Sequence, residues 1–229
     1  MAPTRSPAGA AFQASLLDAA SLVEIGPVAA GLGRRVLAGG AWIDVRRRWV
    51  AGADTLFQRL RTDVPWRAER RPMYDRTVDV PRLLRFYGPD EPLPDPALAE
   101  AKRLLDEHYA TELGEPFATV GLAFYRDGRD SVAWHGDRIG RGSTEDTMVA
   151  ILVLGAPRAL LLRPRAGGPA APARPGTAAA PAPIRLDLGH GDLLVMGGSC
   201  QRTWEHAVPK SARPTGPRIS VQFRPHNVR

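Results

Sequence analysis

From Thr119 onward the chain consists of short apolar runs separated by Gly, Pro and Asp: Thr119–Tyr125, Thr147–Leu154, Ala159–Leu162, Ile184–Leu188, Asp192–Met196 and Arg218–Phe223. Runs of this length with such boundaries read as strands. Several of them at this spacing predict a sandwich or jelly roll. The stretch 165–183 interrupts the series. It is mostly Ala, Pro and Gly and cannot form a packed core element, so it is expected to be a flexible hairpin insertion.

The first half is less regular. Residues 1–14 are expected to be a flexible N-terminus. Ser21–Val28 and Ala41–Val50 read as short strands. Asp54 is placed to cap a helix through Leu56, Phe57 and Leu60. Trp66–Gly88 is dense in arginine and aromatics and reads as irregular strands and loops. Pro96–Leu113 is the clearest helix. Leu98, Ala101, Leu104, Leu105 and Tyr109 share a face, Asp95 stands at the N-cap, and Gly114 can end it. The chain of 229 residues is 44% hydrophobic, which suits one domain with a substrate-binding extension. We divide it into the N-terminus, an extension over 15–117 and a core over 118–229.

Composition limits the setting. No run approaches the roughly 18 apolar residues of a membrane span, and the N-terminus lacks a signal-peptide pattern. A single cysteine, Cys200, excludes an internal disulfide. A cytoplasmic protein with no membrane partner is expected. The net charge is +7, and Lys102 and Lys210 are the only lysines. Codon bias accounts for the arginine-for-lysine preference, whereas the excess of base over acid suits a polyanion such as nucleic acid.

Five histidines occur, at 108, 135, 190, 206 and 226. Two neutral imidazoles and one carboxylate on one side of a non-haem Fe(II) leave positions open for a cosubstrate and O2. In an extended segment residues i and i+2 point the same way, so His-x-Asp supplies two ligands at once. Two such triplets exist, His135–Gly136–Asp137 and His190–Gly191–Asp192. The second leads directly into an apolar strand, where Gly-Asp is ordinary turn chemistry, and His190 reads as structural. The first follows strand-like Ser131–Trp134 and precedes a polar loop, as at the rim of a barrel. His206 is then the third ligand. His108 lies on the polar face of the helix, and His226 lies in the tail.

Downstream, Arg218, Ser220, Gln222 and Arg224 share one strand face, and Ile219, Val221 and Phe223 the other. Two inward arginines are costly without anions. Either this is an edge strand with one face in water, or a dicarboxylate occupies that face, for which arginine offers bidentate pairing.

In order along the chain stand Tyr125–Arg126–Asp127–Gly128, His135–Gly136–Asp137, Gly191–Asp192–Leu193–Leu194–Val195–Met196–Gly197–Gly198, His206, and Arg218 with Arg224. Val80–Pro81–Arg82 and Phe86–Tyr87–Gly88 lie upstream. Together these resemble the AlkB family of nucleic-acid dealkylating dioxygenases, across roughly residues 66 to 226. The resemblance implies a mainly β fold with flanking helices. Its core would be a double-stranded β-helix (jelly roll), with a nucleotide-recognition lid in 15–117. It implies that His135, Asp137 and His206 bind Fe(II) at the catalytic centre, with 2-oxoglutarate and O2 as cosubstrates. It implies that Arg218 and Tyr125 contact the distal carboxylate of 2-oxoglutarate and Arg224 its other end. Ala123 and Ser220 stand where the family usually has asparagine, Ser220 remaining a cosubstrate contact. The acidic residue expected from the resemblance shortly after His-x-Asp is not found at Arg138 or Ile139, which leaves Glu145 and Asp146 as its alternatives.

The implied partner is alkylated DNA or RNA, bound by a monomeric protein, with the target base flipped out or single-stranded. Trp134, Met73 and Tyr74 are candidates to stack on the base, or else pack in the core. Arg70, Arg71 and Arg82, with Arg76 and Arg85, either grip phosphates or form a solvated charged face. Two other classes remain: a 2-oxoglutarate oxygenase of another substrate, and a nucleic-acid-binding module without chemistry.

Overall fold

The computed structural model describes residues 22–73, 76–168 and 182–228. The expected flexible N-terminus, Tyr74 and most of the insertion at 165–183 lie outside the described residues. Two short strands, β1 (Glu24–Ile25) and β2 (Leu32–Val36), lead into β3 (Ala41–Arg46) and β4 (Val50–Ala51). Helix α1 (Ala53–Asp63) precedes a long hairpin of β5 (Arg67–Met73) and β6 (Arg76–Tyr87), and α2 (Pro96–Leu113) follows. The core strands are β7 (Phe117–Tyr125), β8 (Val132–His135), β9 (Val149–Gly155), β10 (Arg158–Pro164), β11 (Ile184–Leu188) and β12 (Asp192–Gly198). A single turn, α3 (Cys200–Thr203), then joins β13 (Trp204–Val208) and β14 (Arg218–Pro225).

Apart from the two-stranded pair β1-β4, the strands form an eight-stranded sheet, β2-β3-β12-β9-β14-β7-β6-β5, and a four-stranded sheet, β11-β10-β13-β8. All pairings in both are antiparallel. This is the expected jelly roll. Strands that precede β7 in the chain lie at both edges of the large sheet, β2–β3 beside β12 and β5–β6 beside β7. Strand β9 is buried along its whole length. Its Ala150, Leu152 and Leu154 pack with Leu56, Phe57 and Leu60 of α1 and Leu98, Leu105 and Tyr109 of α2. Its Val149, Ile151 and Val153 pack with Leu160, Leu162 and Leu188 of the small sheet. The molecule is therefore layered as helices, large sheet and small sheet, and strands covered on both faces read as unbroken apolar runs.

Several expectations need correction. Gly52, at φ 66°, is the residue before α1, and Asp54 lies in the first turn with its carboxylate turned to His190. Within Trp66–Gly88 the strands are long and pair as a hairpin, with one shift of register between Ala68 and Arg70, and Trp204–Val208 is a strand the sequence did not signal. Helix α2 agrees in full: the Asp95 carboxylate accepts from the Ala97 N–H at 2.9 Å, and Gly114 closes the helix at φ 73°. Among the described residues no helix is long and apolar enough to cross a membrane.

Candidate active site

The two sheets enclose a cavity of about 630 Å³. The small sheet supplies the metal-binding groups. His135 ends β8 and His206 lies in β13, directly opposite it in the antiparallel register. Their ring centroids are 4.2 Å apart. Asp137 follows two residues after His135, with Oδ1 3.9 Å from His135 Nε2. The ligand atoms of all three lie within 4.8 Å of one another, the only such cluster of His, Cys, Asp and Glu among the described residues.

The protonation states suit a cation. Burial would raise the Asp137 pKa, but Arg224 and the two imidazoles outweigh it and hold the carboxyl at about 2. Burial pushes His206 down to about 3, leaving the ring neutral. A divalent ion needs these deprotonated forms. Second contacts aim the ligands. His135 Nδ1 lies 2.9 Å from the Ala133 carbonyl, the Asp137 N–H donates to Gln201 Oε1 at 3.1 Å, and Arg224 Nε donates to Asp137 Oδ2 at 2.9 Å.

The large sheet supplies the opposite wall. β14 runs between β9 and β7, so it is not an edge strand. Arg218, Ser220, Gln222 and Arg224 all line the cavity, while Ile219, Val221 and Phe223 are fully buried on the helix side. Register places Arg218 beside Tyr125, Ser220 beside Ala123 and Gln222 beside Gly121. Arg218 is 1% exposed, its Nε has no hydrogen-bond partner, and its Nη1 donates to the Arg158 carbonyl at 3.2 Å. Burial lowers its pKa to about 10. A buried guanidinium with a donor to spare calls for an anion, and a carboxylate fits. Ser220 Oγ accepts from the Gln222 amide at 2.6 Å.

Some of the expected substrate contacts stand elsewhere. Trp134 is on the face of β8 away from His135, does not line the cavity, and has Arg163 over its ring at 4.1 Å. The alternation of a strand causes this: a neighbour of an inward ligand points outward. Arg70 is exposed and pairs with Asp79 across the hairpin at 3.1 Å. For Arg71 and Met73 the structure gives backbone position on β5. Arg82 does line the cavity. His190 is structural: its Nδ1 accepts from the Gly155 N–H at 2.7 Å, and its Nε2 faces Asp54 Oδ1 at 3.2 Å. Cys200 is buried, which pushes its thiol up to about 12.

Sequence reasoning missed four supports. Arg158 donates to the carbonyls of Asp127, Asp130 and Pro209 at 3.1, 3.0 and 2.6 Å, tying two loops beside Arg218. Gln201 orients Asp137. A Cβ on Gly136 would stand 2.4 Å from the Gln201 carbonyl oxygen, and one on Gly121 would stand 2.9 Å from Arg224 Nη1. The glycine between two ligands was the signal available for Gly136.

Two imidazoles and a carboxylate on one wall of a jelly roll, facing a buried arginine on the other, define the class of Fe(II)/2-oxoglutarate-dependent dioxygenases. Comparison with known proteins agrees. Residues 50–224 match the family model of the 2OG-Fe(II) oxygenase superfamily. The chain is 30% identical over 220 residues to alpha-ketoglutarate-dependent dioxygenase alkB homolog 3 of Homo sapiens, covering 91% of this chain and 72% of that protein. The Rattus norvegicus protein of that name is 31% identical over 227 residues, covering 94% and 72%. DNA oxidative demethylase ALKBH2 of Homo sapiens is 28% identical over 187 residues, covering 76% and 69%. The solved structure of OsALKBH1 shares the fold, with a TM-score of 0.52 at 14% identity over 85% of this chain and 100% of that one. The chain belongs to the AlkB family of Fe(II)/2-oxoglutarate-dependent dioxygenases.

Proposed function

We propose that this dioxygenase removes alkyl groups from N-alkylated bases of DNA or RNA, and so repairs alkylation damage directly. The observation that carries the reading is the opposition across one cavity of the His135–Asp137–His206 cluster and the buried, partly unpaired Arg218. The relatives' names point the same way, since one group is named as DNA oxidative demethylases. The net charge of +7 suits a polyanionic substrate.

Held by His135, Asp137 and His206, Fe(II) would supply the coupling of 2-oxoglutarate decarboxylation to insertion of one O2-derived oxygen atom into a C–H bond of the N-alkyl group. The N-hydroxyalkyl product then releases an aldehyde and the unmodified base. Arg218 and Tyr125 would bind the distal carboxylate of 2-oxoglutarate, with Ser220 beside them. Arg224 holds Asp137 ionised and would approach the cosubstrate's other end. Leu84, Val132, Leu160 and Val208 line the cavity and limit water. Arg82 at the lining would position the strand. A base inside a duplex cannot reach this depth, so the substrate would be flipped or single-stranded.

The test is anaerobic loading with Fe(II), then O2, 2-oxoglutarate and an oligonucleotide bearing 1-methyladenine or 3-methylcytosine, following succinate and oligonucleotide mass together. Succinate with loss of one methyl is expected. Succinate without demethylation would overturn the substrate and keep the oxygenase.

A further inference from the structure

Arg218 is braced from behind by a turn. Its strand, β14, runs antiparallel to β9, and Gly155, the last residue of β9, is its Cα partner. The turn at 155–158 then holds Arg218 and its neighbour. The Ala156 N–H donates to the Pro217 carbonyl at 2.9 Å, and the Arg158 carbonyl accepts from Arg218 Nη1 at 3.2 Å. Gly155 has a φ of 85°, and a Cβ on it would stand 2.4 Å from the Pro217 oxygen and 3.2 Å from Arg218 Cα. The two backbones therefore meet with no side chain between them. Where this turn sits decides where the guanidinium sits.

The far side of the turn is fixed by the second His-x-Asp triplet. His190 Nδ1 accepts from the Gly155 N–H at 2.7 Å, and the Gly191 N–H donates to the Val153 carbonyl at 2.8 Å. A neutral imidazole accepts at Nδ1 only when its proton is on Nε2. Asp54 Oδ1, 3.2 Å from Nε2, draws the proton to that side. Phe57 lies edge-on to the ring, with centroids 6.4 Å apart, and burial disfavours the cationic form. A carboxylate on α1 thus selects a tautomer. That tautomer holds an amide of β9, and the amide belongs to the residue opposite Arg218.

We propose that His190 is a positioning residue for 2-oxoglutarate: by holding the Gly155 amide, with Asp54 fixing its tautomer, it sets Arg218 at the depth where the guanidinium grips the distal carboxylate. The proposal rests on the reading of Arg218 as the carboxylate clamp and not on the identity of the alkylated substrate. His190 does not line the cavity, so it acts only through the turn. An apolar side chain at 190 would still pack on Phe57 but would leave the buried Gly155 N–H without its acceptor. A buried amide in that state is costly, and the backbone relieves the cost by moving. Arg218 would move with it. Bidentate pairing has strict geometry, and a binding group needs supports that hold it to within about 0.5 Å.

The test is calorimetric titration of the anaerobic Fe(II)-loaded protein with 2-oxoglutarate and, separately, with oxalate. Oxalate chelates a metal as the oxo acid does but has no distal carboxylate. The variants are His190→Leu, His190→Asn and Arg218→Lys. Asparagine places Oδ1 where Nδ1 accepts. His190→Leu should raise the Kd of 2-oxoglutarate about fivefold or more and leave that of oxalate within about twofold. His190→Asn should recover most of the loss. Where His190→Leu does not fold, His190→Gln, whose acceptor stands one bond further out, takes its place with the same expectation. A general defect weakens both ligands alike and makes Asn no better than Leu, and that result overturns the proposal. So does an unchanged ratio of the two Kd values in His190→Leu while Arg218→Lys changes it, and the clamp then stands. A ratio unchanged in Arg218→Lys as well overturns the clamp reading, and this inference falls with it.

Discussion

His135 and His206 are cross-strand partners, one at the end of β8 and the other in β13, with ring centroids 4.2 Å apart. The metal pair is therefore a property of sheet register. Slipping β8 by one residue against β13 would turn His135 away from the cavity. Replacing either histidine by alanine should reduce bound iron by more than the roughly 10–100-fold typical of outer-sphere changes. His190→Ala should keep one iron per chain. Metal analysis after anaerobic loading and desalting checks this, and iron lost with His190 but kept without His135 would reverse the assignment.

Arg218→Lys should raise the KM for 2-oxoglutarate. Lysine keeps the charge but loses the planar fork that holds a carboxylate at two points. A loss of about 1.5–3 kcal/mol corresponds to a rise of about 10–100-fold. Titration of succinate formation against 2-oxoglutarate measures it, and an unchanged KM would place the carboxylate site elsewhere.

Stability should fall as the solution is acidified below about pH 6.5, with His190 as one cause. Burial lowers the pKa of this ring, while Asp54 and Asp192 oppose the shift. Its folded value lies below the ordinary imidazole value of 6.5, so the unfolded chain binds the proton first and stability rises with pH through that window. Protonated Nδ1 could no longer accept from the Gly155 N–H. Urea midpoints at pH 7 and pH 5 should therefore differ less in His190→Gln than in the wild type. Equal differences would remove His190 as a cause.

Gly136→Ala should harm both stability and iron affinity. The added methyl would meet backbone oxygens of Gln201 and Trp204 at 2.4 and 3.1 Å, and backbone cannot step aside as a side-chain tip can. Overpacking of this sort costs about 1–3 kcal/mol. Denaturant unfolding without metal and iron retention with it are the paired measurements.

The strands after residue 118 were legible because each buries one or both faces and is bounded by turn residues. Ile184–Leu188 and the helix Pro96–Leu113 match to the residue. β5 and β6 were not legible as a continuous hairpin, because arginines and a proline crowd them and pairing to β7 decides their shape. β13 was hidden because Glu205 and His206 interrupt its apolar pattern. Within the site, His-x-Asp and the arginine strand carry local spacing that sequence can show. The outward turn of Trp134 follows from the same alternation that turns His135 inward.

With the candidate iron ligands on and beside the small sheet and the proposed cosubstrate residues on the large one, the sandwich is a two-plate instrument. Ile151 and Leu160 come from facing plates, pack in one cluster and border the cavity. Trimming both to alanine would let the plates slide while leaving each half of the site complete. Such a protein should still take up metal and 2-oxoglutarate, yet waste oxidising equivalents, yielding more succinate per repaired base. On that expectation the apolar filling between the sheets would set the fidelity of coupling, and the ratio of succinate to repaired base measures it.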